Sequence, residues 1–490
     1  MIQKPDLLKQ LTEYENSDFY PFHMPGHKRQ WRGEFAKNFA NPFTIDITEI
    51  DGFDNLHHPQ GILKDSMDWA AKVYKSDKTY YLVNGSSCGI LSAISGTVSR
   101  GGTILMSRNC HKSAYHGVFL NDLKVNYIYP QLIEEFGLQG GILPEEMEEM
   151  LKNHPEVEAV LMVSPTYDGM VSDVRTLAKI CHENKVPLIV DEAHGAHFSF
   201  GGGEEFPVSA IELGADVVIQ SLHKTLPSLT QTAVMHVKSE YVNMERLERY
   251  VHMYQTSSPS YVLLASVDNC IGYMAKQGKE RMKEFFVNIM ELRNRLECLC
   301  HLRILNEKVK GLSGVYDVDL SKLIISTRES NLTGTELSQR LREEYHLEME
   351  MCGPDYVTAI LTLSDTKEGY ERLFKALLEI DSKAGGEKVP HAYRRYKASG
   401  DLKFVPKCRT TIAQGMDSPR KKVFLKDAVN QVSAEFVYIY PPGIPIVAPG
   451  EVLKKELIDL ILSYKEMELP VQGLEDETIE SIYIIDESAR

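Results

Sequence analysis

No apolar run in these 490 residues approaches the ~20 that a bilayer-crossing helix needs. The first residues, Met1-Ile2-Gln3-Lys4-Pro5-Asp6, lack the charged head and apolar core of a secretory leader. Both absences point to a soluble protein of the cytoplasm with no membrane partner. Basic charge is in deficit: 54 Lys plus Arg stand against 69 Asp plus Glu, a formal charge of -15 and a sequence pI near 5.6. Nucleic acid binding is driven by clustered basic charge, so it is disfavoured as a partner. The same imbalance suits the attraction of a small cation. The eight cysteines include no Cys-x-x-Cys, and Cys298 and Cys300 are too close for an easy bridge and wrongly spaced for a zinc knuckle. Reduced, mostly buried thiols are expected. There is no Gly-x-x-x-x-Gly-Lys-Ser/Thr either; Gly278-Lys279 is followed by Glu280. That absence matters because Asp191-Glu192-Ala193-His194 matches the Walker B signature of a helicase class. Without a phosphate-cradling loop the ATPase reading fails.

What remains is the composition of a folded enzyme-sized chain, 43% hydrophobic and 25% charged, too long for one core. Residues 1–60 read as an irregular arm with a short helix near Leu7–Tyr14. From 61 to about 245, helical stretches alternate with apolar runs at Thr103–Met106, Val125–Tyr129, Ala159–Val163, Pro187–Val190, Val217–Ile219 and Ala233–Val237. That alternation predicts an α/β fold with a mostly parallel central sheet, whose ligands bind at the carboxyl ends of the strands. After a helical stretch to about 300, residues 301–385 predict a smaller α+β domain. Its strands fall at Gly314–Asp319, Leu323–Ser326 and Tyr356–Leu363. Its helices are one opened by a Thr333-x-x-Glu336 capping box and another at Lys367–Ile380. Ala384-Gly385-Gly386-Glu387-Lys388 reads as a linker. Residues 386–490 form a C-terminal domain containing Tyr440-Pro441-Pro442-Gly443-Ile444-Pro445 and a helix over Glu451–Lys465. The expected division is an arm (1–60), a large domain (61–300), a small domain (301–385) and a C-terminal domain (386–490).

Ser221-Leu222-His223-Lys224 follows Asp191-Glu192-Ala193-His194 by about thirty residues, and each tetrapeptide closes an apolar run. A carboxylate that can keep a pyridinium protonated and an amine that can form a Schiff base are the groups pyridoxal phosphate (PLP) most requires. Asn84-Gly85-Ser86-Ser87 sits between a strand-like run and a helix, where hydroxyls and free amides make an anion site; alone it reads more readily as an ordinary Ser-rich cap, and the nearby lysine and aspartate motifs reverse that preference. His111, in Arg108-Asn109-Cys110-His111-Lys112-Ser113, is placed to cover an aromatic ring, or is an exposed loop histidine. Ala193 is small enough for a planar ring to rest on, and His194 could reach a ring hydroxyl. His194 and His197 with Glu192 raise the idea of zinc, but no fourth ligand is in view, and no metal is expected. His23-Met24-Pro25-Gly26-His27-Lys28 reads as a basic turn whose spacing by itself specifies no chemistry.

Taken together, these segments resemble the bacterial ornithine/lysine/arginine decarboxylase family of fold-type I PLP enzymes (aspartate aminotransferase-like). The resemblance also draws on Ser164-Pro165-Thr166-Tyr167-Asp168-Gly169 and Thr256-Ser257-Ser258-Pro259-Ser260-Tyr261, and it runs from residue 23 to about 450. It is to the shorter members, without a receiver-like wing domain ahead of the arm. It implies Lys224 as the aldimine lysine, Asp191 paired with the pyridine nitrogen, His111 stacked on the ring with Ala193 opposite, and His194 near the ring hydroxyl. Ser86, Ser87, Ser221 and His223 would hold the phosphate. Ser258 would reach the phosphate of a partner subunit, which implies a homodimer with shared sites. The implied reaction is decarboxylation of arginine, lysine or ornithine to agmatine or a diamine, in polyamine metabolism. Two other readings compete. A PLP aminotransferase would hold the substrate carboxylate with an arginine, for which Arg328 is the candidate. A non-enzymatic binding protein on the same fold would not need Lys224. Glu435 is the candidate for contact with the substrate's distal cation.

Overall fold

The computed structural model describes residues 13–29, 41–385, 406–440 and 443–489. The predicted helix near Leu7–Tyr14 falls mostly outside them, as do most of the linker from residue 386 and Pro441-Pro442.

The large domain is built on seven strands: β1 (Lys78–Leu82), β2 (Thr103–Ser107), β3 (Lys124–Ile128), β4 (Val157–Val163), β5 (Leu188–Asp191), β6 (Val217–Ser221) and β7 (Ala233–Val237), in spatial order β1-β7-β6-β5-β4-β2-β3. The five strands from β6 to β3 are mutually parallel; β7 runs antiparallel to both β6 and β1. The mixed edge has a simple cause. Only residues 222–232 separate β6 from β7, too few for the covered crossover that a parallel return needs. The central strands are buried on both faces, which their unbroken Val/Ile/Leu runs require: Ile189 joins one core, Leu188 and Val190 the other.

Helix α1 (Gly85–Thr97) follows β1, α2 (Lys112–Leu120) follows β2, and the four-residue α3 (Leu222–Thr225) follows β6. The long helix α4 (Tyr261–Leu296) links the two domains at 1.5 Å per residue, about 54 Å in all. Its buried positions, including Leu264, Val267, Ile271, Met274, Met282, Phe285, Ile289, Leu292 and Leu296, recur every three or four residues as one continuous stripe.

The smaller domain is an antiparallel sheet of β8 (Arg303–Ile304), β9 (Lys322–Ser326), β10 (Met351–Cys352) and β11 (Tyr356–Ile360), in order β8-β9-β11-β10. It carries α5 (Gly334–Tyr345), opened by the predicted capping box, and α6 (Lys367–Lys383). The arm enters here: Tyr20–Phe22 pairs in parallel with Leu347–Met349. Among the C-terminal residues, β12 (Arg420–Phe424) pairs with β16 (Ser481–Ile485). Beside them β13 (Val437–Ile439), β14 (Ile444–Val447) and β15 (Val471–Gln472) form a second small sheet. Helix α7 starts at Lys455, four residues later than predicted. Glu451 and Val452 are taken up by β-bridges, and Glu451 is drawn into the interior by Arg108.

Candidate active site

The carboxyl ends of β2, β5 and β6 open into one cavity of about 1350 Å³, closed by segments from the arm, the smaller domain and the C-terminal domain. Ser86, Ser87, His111, Asp191, Ala193, His194, Ser221, His223 and Lys224 all line it. Residues as far apart in the chain as Ser86 and Lys224 meet because each follows a strand at the same sheet edge.

Lys224 ends up inside because α3 begins directly at the end of β6. Its Nζ lies 2.8 Å from His194 Nε2. Burial lowers the pKa of the Lys224 ammonium; Asp191 and Glu350 oppose this and Lys322 adds to it. His194 is driven well below its ordinary value, first by burial and then by the Lys224 and Lys322 charges. Its Nδ1 is buried without a hydrogen-bond partner, and its ring lies 4.5 Å from that of Tyr167.

Asp191, 8% exposed, accepts one hydrogen bond from Ala193 N–H at 3.1 Å. Burial pushes its carboxyl up, against the Lys224 cation and that N–H. A pyridinium is the kind of partner that would reverse the balance. His111 caps α2, with Nδ1 accepting the Ser113 N–H at 3.2 Å and lying 2.8 Å from Ser113 Oγ. Its neutral ring therefore keeps the proton on Nε2. Burial, with Lys224 and Lys112 nearby, lowers its pKa to about 3. Gly443 of the C-terminal domain presses on this ring: a Cβ there would lie 3.4 Å from His111 Nε2.

Ser86 Oγ and Ser221 Oγ are 2.6 Å apart, joining the first turn of α1 to the end of β6. His223 Nδ1 bonds the Thr232 carbonyl at 2.9 Å, leaving Nε2 free, and burial lowers its pKa to about 4. Two hydroxyls and the amino end of a 13-residue helix are the donor set that a phosphate needs. The singly bonded Asp191, the unpartnered His194 nitrogen, the half-buried lysine and this phosphate cradle together fit PLP.

Two candidates for substrate contact, Glu435 and Arg328, are not where the sequence reading put them. Glu435 is not in the cavity; its carboxylate accepts the N–H groups of Glu475 (2.7 Å) and Tyr483 (2.6 Å) inside the C-terminal domain. Arg328 is turned away as well. It pairs with Asp355 at 3.1 Å, bonds the carbonyls of Glu134 and Glu135, and lines a separate cavity of about 140 Å³. The three residues behind the zinc idea diverge: His194 faces Lys224, His197 faces Asp319, and Glu192 accepts from Ser209, Ala210 and Gln220. Ser258 is exposed at φ +50°, outside the cavity, its N–H on Glu49 at 3.0 Å.

Other residues enter the site without having been singled out. Glu350 lines the cavity, accepts the Met24 N–H at 2.9 Å and the hydroxyl of Tyr167, and influences Lys224 electrostatically. The alternation Leu347-Glu348-Met349-Glu350-Met351 was the available signal, since period two puts Glu348 and Glu350 on one side. Nothing local shows that this side faces a lysine 126 positions earlier. Asp168, in the motif at 164–169, also lines the cavity; burial raises its carboxyl to about 7. The arm motif finds its task here too, because Gly26 N–H donates to His223 O at 2.7 Å and Lys28 is wholly buried.

The profile described as "Orn/Lys/Arg decarboxylase, major domain" matches residues 5–312, and "Orn/Lys/Arg decarboxylase, C-terminal domain" matches residues 391–488. An arginine decarboxylase of Bacillus subtilis is 33% identical over 475 residues, 95% of this chain and 94% of the relative. A lysine decarboxylase of Hafnia alvei is 24% identical over 560 aligned positions, 94% of this chain and 74% of the relative. Among solved structures, the Francisella novicida lysine decarboxylase superposes with a TM-score of 0.78 at 22% identity, covering 98% of this chain and 81% of its own. An alanine–glyoxylate aminotransferase from Nostoc follows at a TM-score of 0.53 and 16% identity over 65% of this chain. The fold is therefore that of the fold-type I enzymes.

Proposed function

This chain belongs to the Orn/Lys/Arg decarboxylase family, and on that premise we propose that it binds PLP and decarboxylates a basic L-amino acid, arginine first, releasing CO₂ and agmatine. The observation that carries this reading is the meeting of Lys224, Asp191 and the Ser86–Ser221 hydroxyl pair around one cavity. Three relatives at 30–33% identity are named arginine decarboxylase, which supports reading arginine ahead of lysine and ornithine.

Ser86, Ser87, Ser221 and His223 would hold the phosphate at the start of α1. Asp191 would keep a proton at the pyridine nitrogen. His111 would cover one ring face, with Ala193 beneath the other. When bound, PLP supplies the electron sink that lets a bond at the substrate Cα break. Lys224 supplies the amine that links the cofactor and takes it back after turnover, and His194 holds that amine at 2.8 Å. Glu350 has lone pairs beyond those engaged by Met24 and Tyr167, so it can accept from a substrate cation. A carboxylate that receives a guanidinium or ammonium group is the complement that a basic substrate requires.

The homodimer belongs to the same proposal. Ser258 stands exposed beside the arm, and Phe43, Ile50 and Phe53 in that arm, with Ile62 just after it, present large apolar surfaces to solvent. A second copy would cover them and bring its own Ser258 towards the phosphate. Agmatine or a diamine as product fits a role in polyamine metabolism, carried out in the cytoplasm.

Incubating the PLP-loaded enzyme with arginine, lysine and ornithine tests the reading. Stoichiometric CO₂ and amine, fastest with arginine, is the expected result. Keto-acid formation that depends on added pyruvate would replace this proposal with an aminotransferase.

A further inference from the structure

The loop that carries Asp191, His194 and His197 rests on a buried ion pair contributed by the smaller domain. Asp319 and Lys322 are both fully inaccessible, with Lys322 Nζ 3.0 Å from Asp319 Oδ2. The same ammonium donates to the His194 carbonyl and to Ser321 Oγ, each at 3.4 Å. Asp319 Oδ1 accepts the Ser321 N–H at 3.0 Å and faces His197 Nε2 at 3.3 Å. The turn itself is clamped from α4: Arg293 donates to the carbonyls of Leu320 (2.8 and 3.1 Å) and Lys322 (3.0 Å). There is little slack above it, since a Cβ on Gly169 would lie 2.9 Å from the Asp319 carbonyl oxygen.

A pair this deep is an inefficient way to join two domains. Desolvating each ion costs several kcal/mol, and apolar side chains of the same volume often stabilise a buried junction as well or better. What apolar side chains cannot do is hold a specific carbonyl and a specific imidazole. Both side-chain hydrogen bonds of this pair to the large domain fall on the loop bearing the histidine that touches Lys224.

We propose that Asp319 and Lys322 are positioning residues for the reaction: by fixing the His194 carbonyl and the His197 ring, they hold His194 Nε2 against Lys224 Nζ and so aim that amine. The inference rests on Lys224 being the lysine that links the cofactor. The ion pair acts through space as well. After burial, Lys322 is a further influence favouring neutral Lys224, while Asp191 and Glu350 pull the other way. The titratable groups around Lys224 are Asp191, His194, Glu350, His111, His223 and Lys322. Asp319, His194, His197 and Lys28 surround Lys322 in turn.

The test compares the PLP-loaded parent with the double variant Asp319→Leu/Lys322→Met, which removes both charges at similar volume, and with the isosteric Asp319→Asn. Thermal unfolding establishes that each is folded. The absorbance of lysine-linked cofactor near ~420 nm is then titrated with pH, and kcat is separated from KM for arginine. The double variant is expected to keep the band, with its pH midpoint displaced because His194 is no longer held in place against the Lys224 amine. Its kcat should fall by about tenfold or more with KM changed less than about threefold. A folded double variant with parental kcat and midpoint overturns the proposal. If the double variant does not fold, Asp319→Asn decides: a lower kcat at unchanged KM supports positioning, and a parental kcat overturns it. The reading of Lys224 fails separately, in Lys224→Ala, if that variant retains the band; the positioning proposal then falls with it.

Discussion

The backbone N–H of Gly26 donates to the carbonyl of His223 over 2.7 Å, stitching the N-terminal arm to the residue before Lys224. The approach tolerates no side chain. A Cβ on Gly26 would meet Leu226 O at 2.7 Å, Leu226 N at 2.9 Å and Thr225 C at 2.9 Å, all backbone atoms. Gly26→Ala must therefore displace either the arm or α3. Overpacking of this kind costs roughly 1–3 kcal/mol, and the displaced element carries the lysine. A lower melting temperature together with a fall in kcat/KM is expected. Parental values for both would show that the arm can move without consequence.

Glu350→Gln keeps the size of the side chain and removes its charge. Hydrogen bonds to charged groups contribute roughly 1.5–3 kcal/mol, so KM for arginine should rise roughly 10- to 100-fold. The preference for arginine over a neutral amino acid of similar length should shrink by a similar factor. Steady-state kinetics on both substrates measures this, and an unchanged preference would remove Glu350 from the cation site.

The pair of Arg108 and Glu451 joins the large domain to the C-terminal domain at 3.2 Å, with side chains 10% and 1% exposed. Removing one partner of a buried pair leaves the other charge uncompensated, at a cost of about 3–5 kcal/mol. Glu451→Ala is expected to lower the denaturant midpoint strongly. Arg108→Met/Glu451→Leu should lose much less, because no unpaired charge remains. Equal losses in the two variants would contradict this account.

His236 is fully buried between Thr79 Oγ1 (2.8 Å) and Gln220 Oε1 (3.2 Å), and burial lowers its pKa to about 3. Between pH 6.5 and 3 the unfolded chain takes up a proton here that the native chain refuses. Its contribution is therefore complete above about pH 6.5 and is lost as pH falls, by up to about 1.4 kcal/mol per pH unit. Relative to His236→Gln, the parent should show that slope between pH 6 and 4 and none above pH 7. Denaturant titrations at several pH values measure it; a pH-independent difference would mean that His236 takes up its proton at the same pH in the native and unfolded chains.

How far the sequence could be read is clearest at residues 185–225. Unbroken apolar runs ending in Asp191 and Ser221 could only be buried strands, and a polar residue at the carboxyl end of such a strand in an α/β sheet faces the ligand edge. Lys224, Asp191, Ser86 and His111 were legible for that reason, as were the capping box at Thr333 and the fold class. The antiparallel β7 was less so, because apolar patterning carries no strand direction and only the short connection after β6 fixed it.

Glu435 and Glu350 show where such reading stops. Both are acidic residues at bends beside short strands, and only the three-dimensional packing directs one to backbone amides and the other to the cavity. The Asp319–Lys322 pair and the docking of Gly26 on His223 are of the same kind. The sequence by itself determined the strand-end placement of Lys224, Asp191, Ser86 and His111, since a motif adjoining its own strand is positioned by local periodicity. The tertiary structure alone decided which distant charges meet around Lys224, because those contacts span roughly a hundred residues or more and depend on how the arm and the smaller domain pack over the sheet.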